Sequence, residues 1–158
     1  MDAPAFVIDF LRNEEVMADL AALHEKEWRH LYSDWNARHA LEDFRRQHVD
    51  GTMPCTLVAR SGTGEALGSV SLIFDDLPSH PHLNPWLASL YVRPAHRNAG
   101  VAGALVSEAE KLFVKNGWET VFLFTETGAG FFRKCGWTLH EETSANGCPV
   151  SIMRRSLA

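Results

Sequence analysis

The chain has 158 residues, enough for one domain with a substantial buried core. Its 46% apolar and 22% charged residues fit a soluble globular protein, and no apolar run reaches the roughly 20 residues of a membrane helix. The formal charge of -5 argues against nucleic acid as a partner and favours a cationic one.

The first segment, "MDAPAFVIDF", carries Asp2 and Asp9 where an export leader would carry basic residues, so a cytoplasmic location is expected. Within it, "AFVIDFL" (5–11) reads as a strand. From Asn13, an N-cap candidate, Val16, Leu20, Leu23, Trp28, Leu31 and Tyr32 recur at roughly helical spacing through residue 32. A second helix is expected over 36–48, through Ala37, Leu41 and Phe44. "CTLVAR" (55–60) and "ALGSVSLIF" (66–74) form a strand pair across the glycine-bearing "SGTGE", and "PWLASLYV" (85–92) is a further strand. A helix over 100–116 leads to "ETVFLFT" (119–125), whose continuous apolar run suits a strand covered on both faces. A short helix over 127–135 precedes a hairpin joining 137–142 to 149–155 around Asn146-Gly147.

The centre of the chain thus reads strand, glycine turn, helix, strand. That is a right-handed βαβ unit inside a meander, and the class is α+β with a mixed twisted sheet and flanking helices. In such a unit the helix N-terminus points unpaired N–H groups beyond the carboxyl end of the strand, where a phosphate can sit. Gly100 lets a backbone approach closely. Spacing excludes the two familiar phosphate loops: no lysine follows Gly100 as in G-x-x-x-x-G-K-[ST], and Gly100 and Gly103 do not form G-x-G-x-x-G. What remains is Arg97-x-x-Gly100-x-Ala102, which packing glycines alone would explain equally well.

Other features are read modestly. Cys55, Cys135 and Cys148 are odd in number and lack C-x-x-C spacing, so neither a disulfide framework nor a zinc site is indicated. His24 and His30 stand six apart, wrong for H-E-x-x-H, and His24 is expected on the solvent side of its helix. No ligand cluster is visible, so no metal is expected.

The stretch "LYVRPAHRNAGVAGALVSEAEKLFVKNGW" resembles the acetyl-CoA-binding motif of the GNAT superfamily of N-acyltransferases, [QR]-x-x-G-x-[GA] after a strand. "FLFTETGAGFFRKCGW" resembles that superfamily's following segment, which ends in F-Y-x-K-x-G-[FW]. Together with "NPWLASLYV" and "LFTE", these stretches also look like a bacterial branch of undefined substrate. The resemblance implies a single acetyltransferase domain over 1–158, with acetyl-CoA as co-substrate. By that resemblance, backbone N–H groups of Asn98, Ala99, Gly100, Val101 and Ala102 cradle the pyrophosphate and Arg97 adds charge beside it. Leu90 turns its N–H to the thioester carbonyl, Tyr91 and Val92 pair with the pantetheine arm, and Phe132 packs beside the sulfur. Trp28, Tyr32 and Trp35 stand where the family walls its acceptor pocket, although core packing alone would also account for them. The family often dimerises, and exposed sheet edges suit a homodimer.

Direct acyl transfer requires a deprotonated amine, a donor to the oxyanion and little help for a thiolate of pKa about 8.5. The Leu90 amide suits the second task. Two proton handlers of the family are missing: "PWLASLYV" holds no carboxylate, and Phe132 stands where many members have tyrosine. Glu126, reached through a water, leads the replacement bases, with His82 and Asp76 behind it and Asp75 and His80 nearby. Three functions stay open: acetylation of a small cationic amine drawn by Asp75, Asp76 and Glu126, acetylation of a peptide N-terminus or protein lysine, and non-catalytic binding of coenzyme A.

Overall fold

The computed structural model describes residues 5–32 and 34–158; the part of the leader reading that rests on residues 1–4 lies outside them. Strand β1 (Phe6–Phe10) is followed by α1 (Glu14–Trp28), a 3-10 turn at Arg29–Leu31, and α2 (Ala37–Arg46). Next come β2 (Cys55–Ser61), β3 (Ala66–Ile73), β4 (Trp86–Val92), α3 (Val101–Lys115), β5 (Thr120–Thr125) and α4 (Ala129–Lys134). The hairpin β6 (Thr138–Ala145) and β7 (Cys148–Ser156) closes the chain. The sheet order is β1-β2-β3-β4-β5-β7-β6, and only β4 and β5 run parallel.

Local chemistry explains the element ends. Asn13 Oδ1 accepts from the Glu15 and Val16 amides at 2.8 and 3.1 Å, and Asn36 Oδ1 accepts from His39 N at 3.1 Å, so each helix has a side-chain N-cap. Asn146 and Gly147 both hold positive φ (48° and 79°), as a two-residue hairpin turn requires. α1 stops at Trp28, short of the expected Tyr32. The chain tightens into the 3-10 turn, which buries Leu31 and leaves Tyr32 extended.

α3 covers one face of the sheet with Val101, Leu105, Val106, Ala109 and Phe113, and α4 adds Phe132 beside it. α1 and α2 cover part of the other face through Leu20, Ala21, Ala40 and Phe44. The buried stripe of α1 is Met17, Leu20, Ala21 and His24. His24 therefore lies inside, 2% exposed, and not in solvent as its polarity suggests. Its Nε2 meets Ser69 Oγ at 3.3 Å, and its ring packs on Trp28, Phe44 and Tyr91.

Burial holds the His24 pKa down to about 3. An imidazole depressed below its free value of 6.5 supports the fold above that pH and loses the support as pH falls toward 3. His24→Gln, which keeps a polar group for Ser69, is expected to flatten the decline in melting temperature between pH 7 and pH 4. Parallel declines in parent and variant would assign the acid sensitivity to other groups.

Candidate active site

β4 and β5 share one registered pair, Trp86 with Phe122, supported by the Phe122 amide donating to Pro85 O at 3.0 Å. Beyond that point the strands part. On its other side, β4 loses register with β3: Ser69 and Ser71 oppose Tyr91 and Ala88, so β4 holds one extra residue. Ser89 takes up the bulge at φ 55°, and neither it nor Leu90 has a registered partner on β3 or β5. The gap between the strands is a cleft of about 470 Å³, lined by Leu87–Val92 of β4 and by Leu123–Gly128. Phe131 and Phe132 of α4 form another wall, and Arg97 and Ala102 stand at the α3 end.

That end carries the glycine motif. Gly100 caps α3 at φ 82°, and the first helical bond runs from Ala104 N to Gly100 O at 3.1 Å. The N–H groups of the first turn consequently have no carbonyl of their own helix to bond. A Cβ built on Gly100 would meet no protein atom within 4 Å, so the space before the helix is open. Arg97 folds back, its Nε donating to Val92 O at 2.9 Å and its guanidinium standing 5.9 Å from the Tyr91 ring. Positive charge is thereby held at the cleft mouth.

A second cavity of about 510 Å³ lies on the α1–α2 face, walled by His24, Trp28, Tyr32, Trp35 and Phe44. It adjoins the cleft at four residues common to both linings: Trp28, Tyr32, Asp76 and Ser89. Asp76 sits at this junction, and the Tyr32 hydroxyl donates to its Oδ1 at 3.4 Å. Burial raises the Asp76 carboxyl from 3.8 to about 7, the Tyr32 hydrogen bond working against the rise. Burial, with Asp76 nearby, pushes the Tyr32 phenol well above its ordinary range. A carboxylate poised near neutrality between two cavities can exchange a proton with a guest in either.

The other sequence candidates stand away from that junction. Glu126 lines the cleft but not the second cavity, and its Oε1 lies 2.6 Å from His30 Nε2. Asp75 is tied to Asn84, whose Nδ2 donates to Asp75 Oδ1 at 2.9 Å while Asp75 N donates to Asn84 Oδ1 at 2.7 Å. His82 is exposed and stacks on His80, and neither histidine lines the cleft or the second cavity. His80 Nε2 is 2.8 Å from Glu141 Oε2. Ser89 and Phe44 join the site without having been singled out; the bulge that presents Ser89 leaves no mark in "WLASLYV". Among the described residues no helix is long and apolar enough to cross a membrane.

Comparison with solved structures gives the fold. Aminoglycoside 6'-N-acetyltransferase complexed with coenzyme A superposes with TM-score 0.71 at 16% identity, over 96% of this chain and 97% of that one. Spermidine N-acetyltransferase from Vibrio cholerae, in complex with CoA and spermine, gives 0.72 at 14% identity over 98% and 97%. Aminoglycoside 6'-acetyltransferase type Ii gives 0.72 at 22% identity over 96% and 97%. A sequence search of curated proteins finds no significant match. The model of the Acetyltransferase (GNAT) family matches residues 17–137, which include the splayed strands, the glycine turn and the Asp76 junction. The chain belongs to the GNAT family and is an acetyl-CoA-dependent N-acetyltransferase.

Proposed function

We propose that the protein transfers an acetyl group from acetyl-CoA to the primary amine of a small molecule held in the α1–α2 cavity. The observation that carries this reading is the junction. One cavity fits an extended thioester between parted strands, the other fits a compact guest, and Asp76 stands between them. Acetyl-CoA supplies the activated carbonyl. The α3 N-terminus from Asn98 to Ala102 and Arg97 would hold its phosphates, and Leu90, Tyr91 and Val92, which line the cleft, would pair their main chain with its pantetheine arm. Phe132, 6% exposed against Trp137, would pack beside the sulfur.

The residues divide the chemistry as follows. Asp76 in its ionised form takes the proton from the incoming ammonium, directly or through one water, and frees the nitrogen lone pair. The new C–N bond forms as the carbonyl oxygen gains charge, and the Leu90 N–H would donate to that oxygen. The adduct nitrogen sheds its second proton to solvent, the C–S bond breaks and the thiolate departs. Its modest basicity lets solvent protonate it, so a phenylalanine at 132 is compatible with turnover. Asp76 replaces Glu126 as the preferred base because Glu126 faces only the cleft and is engaged by His30.

The relatives named for spermidine and aminoglycosides support a small amine as acceptor, as does a walled cavity in place of an open groove for a peptide. A homodimer through the exposed outer edge of β6 is the corresponding proposal for assembly. The test of function is steady release of free thiol from acetyl-CoA in the presence of an amine panel, with the acetylated amine identified by mass. Binding of acetyl-CoA without thiol release from any amine would instead favour the non-catalytic role.

A further inference from the structure

We propose that the acceptor is a monoamine on an apolar, ring-sized body, and that the aromatic cavity selects it over polycationic amines. The inference rests on the acetyl-transfer reading of the same site and adds the class of substrate.

The first observation is the lining. Trp28, Tyr32, Trp35 and Phe44 surround the cavity, with Ile73 below them. Tyr32 and Trp35 pack at a centroid distance of 5.3 Å and an interplanar angle of 43°. His24, the polar group among them, is buried and held neutral, so it presents a ring edge and no charge. Such walls favour an apolar or aromatic guest, which leaves water to lie against them. A hydroxyl- and ammonium-rich guest would surrender hydration against these rings.

The second observation is the distribution of charge. A guest with several ammonium groups needs carboxylates spaced along its length. Three line the cavity, and two are already engaged. Asp75 is held by Asn84 in paired hydrogen bonds. Asp43 lies on the exposed outer rim with Arg46 at 3.9 Å. Asp76 alone reaches the inner end, and among the described residues no lysine, arginine or histidine forms an ion pair with it. One inner carboxylate suits one ammonium. Arg46 also lines the cavity, and its guanidinium stands 3.7 Å from Glu42 and 3.9 Å from Asp43, so the carboxylates at that rim already have a cationic partner. A polyamine or aminoglycoside thus finds a single carboxylate at the inner end for its several ammonium groups.

The experiment compares 2-phenylethylamine, propylamine, spermidine and kanamycin as acceptors by thiol release, in parent and Trp35→Ala. A parallel arm titrates the same amines against the protein's tryptophan fluorescence with coenzyme A present. The parent is expected to use 2-phenylethylamine at least about tenfold better in kcat/KM than spermidine or kanamycin, the scale of one buried aromatic contact. Trp35→Ala is expected to lower the ratio of 2-phenylethylamine to propylamine by about tenfold, because propylamine does not reach that wall. Equal or better use of spermidine or kanamycin by the parent overturns the proposal, and so does an equal loss for all amines in the variant. If no amine is acetylated yet 2-phenylethylamine binds and spermidine does not, the transfer reading falls and the cavity's selectivity stands. Tighter binding of spermidine in that arm overturns the selectivity.

Discussion

Asp76→Asn is expected to lower turnover by about 10²-fold at neutral pH and to remove the rising limb of the pH–rate profile near 7. The parent limb follows from Asp76 itself, whose burial raises its carboxyl to about 7, so the base form accumulates as pH passes that value. With asparagine at the junction the rate should instead climb toward high pH, where the amine, of pKa about 10, loses its own proton. Stability should move the opposite way. A carboxyl raised in the folded state favours folding fully only below its free value of 3.8, and that contribution is lost as pH rises through 7. Asp76→Asn removes the penalty of burying a charge, so its melting temperature should exceed the parent's, and by more at pH 8 than at pH 4. For a chain of this size each kcal/mol corresponds to roughly 2–4 °C. Glu126→Gln is the control: paired with His30 in the cleft, it should keep the limb near 7. A parent-like limb in Asp76→Asn, or its loss in Glu126→Gln, would return the base to Glu126.

That contrast marks where the sequence could be read and where it could not. The βαβ unit was legible because each part carries a local signal: the apolar face of α3, the glycine at its start and the unbroken apolar run of β5. The Asn146-Gly147 turn is equally local. Non-local packing set the rest. β7 enters between β5 and β6, a pairing that no periodicity within the hairpin encodes. Helical spacing in the sequence favours an α1 stripe through Val16, Leu20 and Leu23, whereas the buried one runs Met17, Leu20, Ala21, His24. A rotation of about one residue therefore moved a histidine from solvent to the core. Asp75 and Asp76 are adjacent carboxylates with no difference in pattern. Only the folded loop separates them, tying one to Asn84 and aiming the other at Tyr32 and the cavity junction. The bulge at Ser89 is likewise a product of strand register, and it leaves Leu90 without a registered partner on β3 or β5.

Gly100→Asp should abolish the stabilisation that acetyl-CoA confers while leaving the free protein close to the parent. A ligand that binds only the native state stabilises it by about 2.7 kcal/mol at a hundredfold excess over Kd, a rise of roughly 5–11 °C for this chain length. The parent should show that rise. In the variant the new Cβ meets no protein atom within 4 Å, so the fold accommodates it sterically. The φ of 82° costs a non-glycine residue about 1–2 kcal/mol, and aspartate tolerates this region better than most. Its carboxylate can also cap α3 and favour the positive end of the helix dipole, which offsets part of that cost. The same placement is fatal to the cradle, because the carboxylate occupies the first-turn N–H groups and opposes an incoming phosphate. Gly100→Ala separates the two effects: it carries at least as much backbone strain and a Cβ without the charge, so it should retain part of the thermal shift. Measured by thermal unfolding with and without acetyl-CoA, the shifts should order parent, then Gly100→Ala, then Gly100→Asp near zero. A shift in Gly100→Asp equal to the parent's would remove the α3 N-terminus from the phosphate site and leave Arg97 and the β4 backbone as its remaining supports.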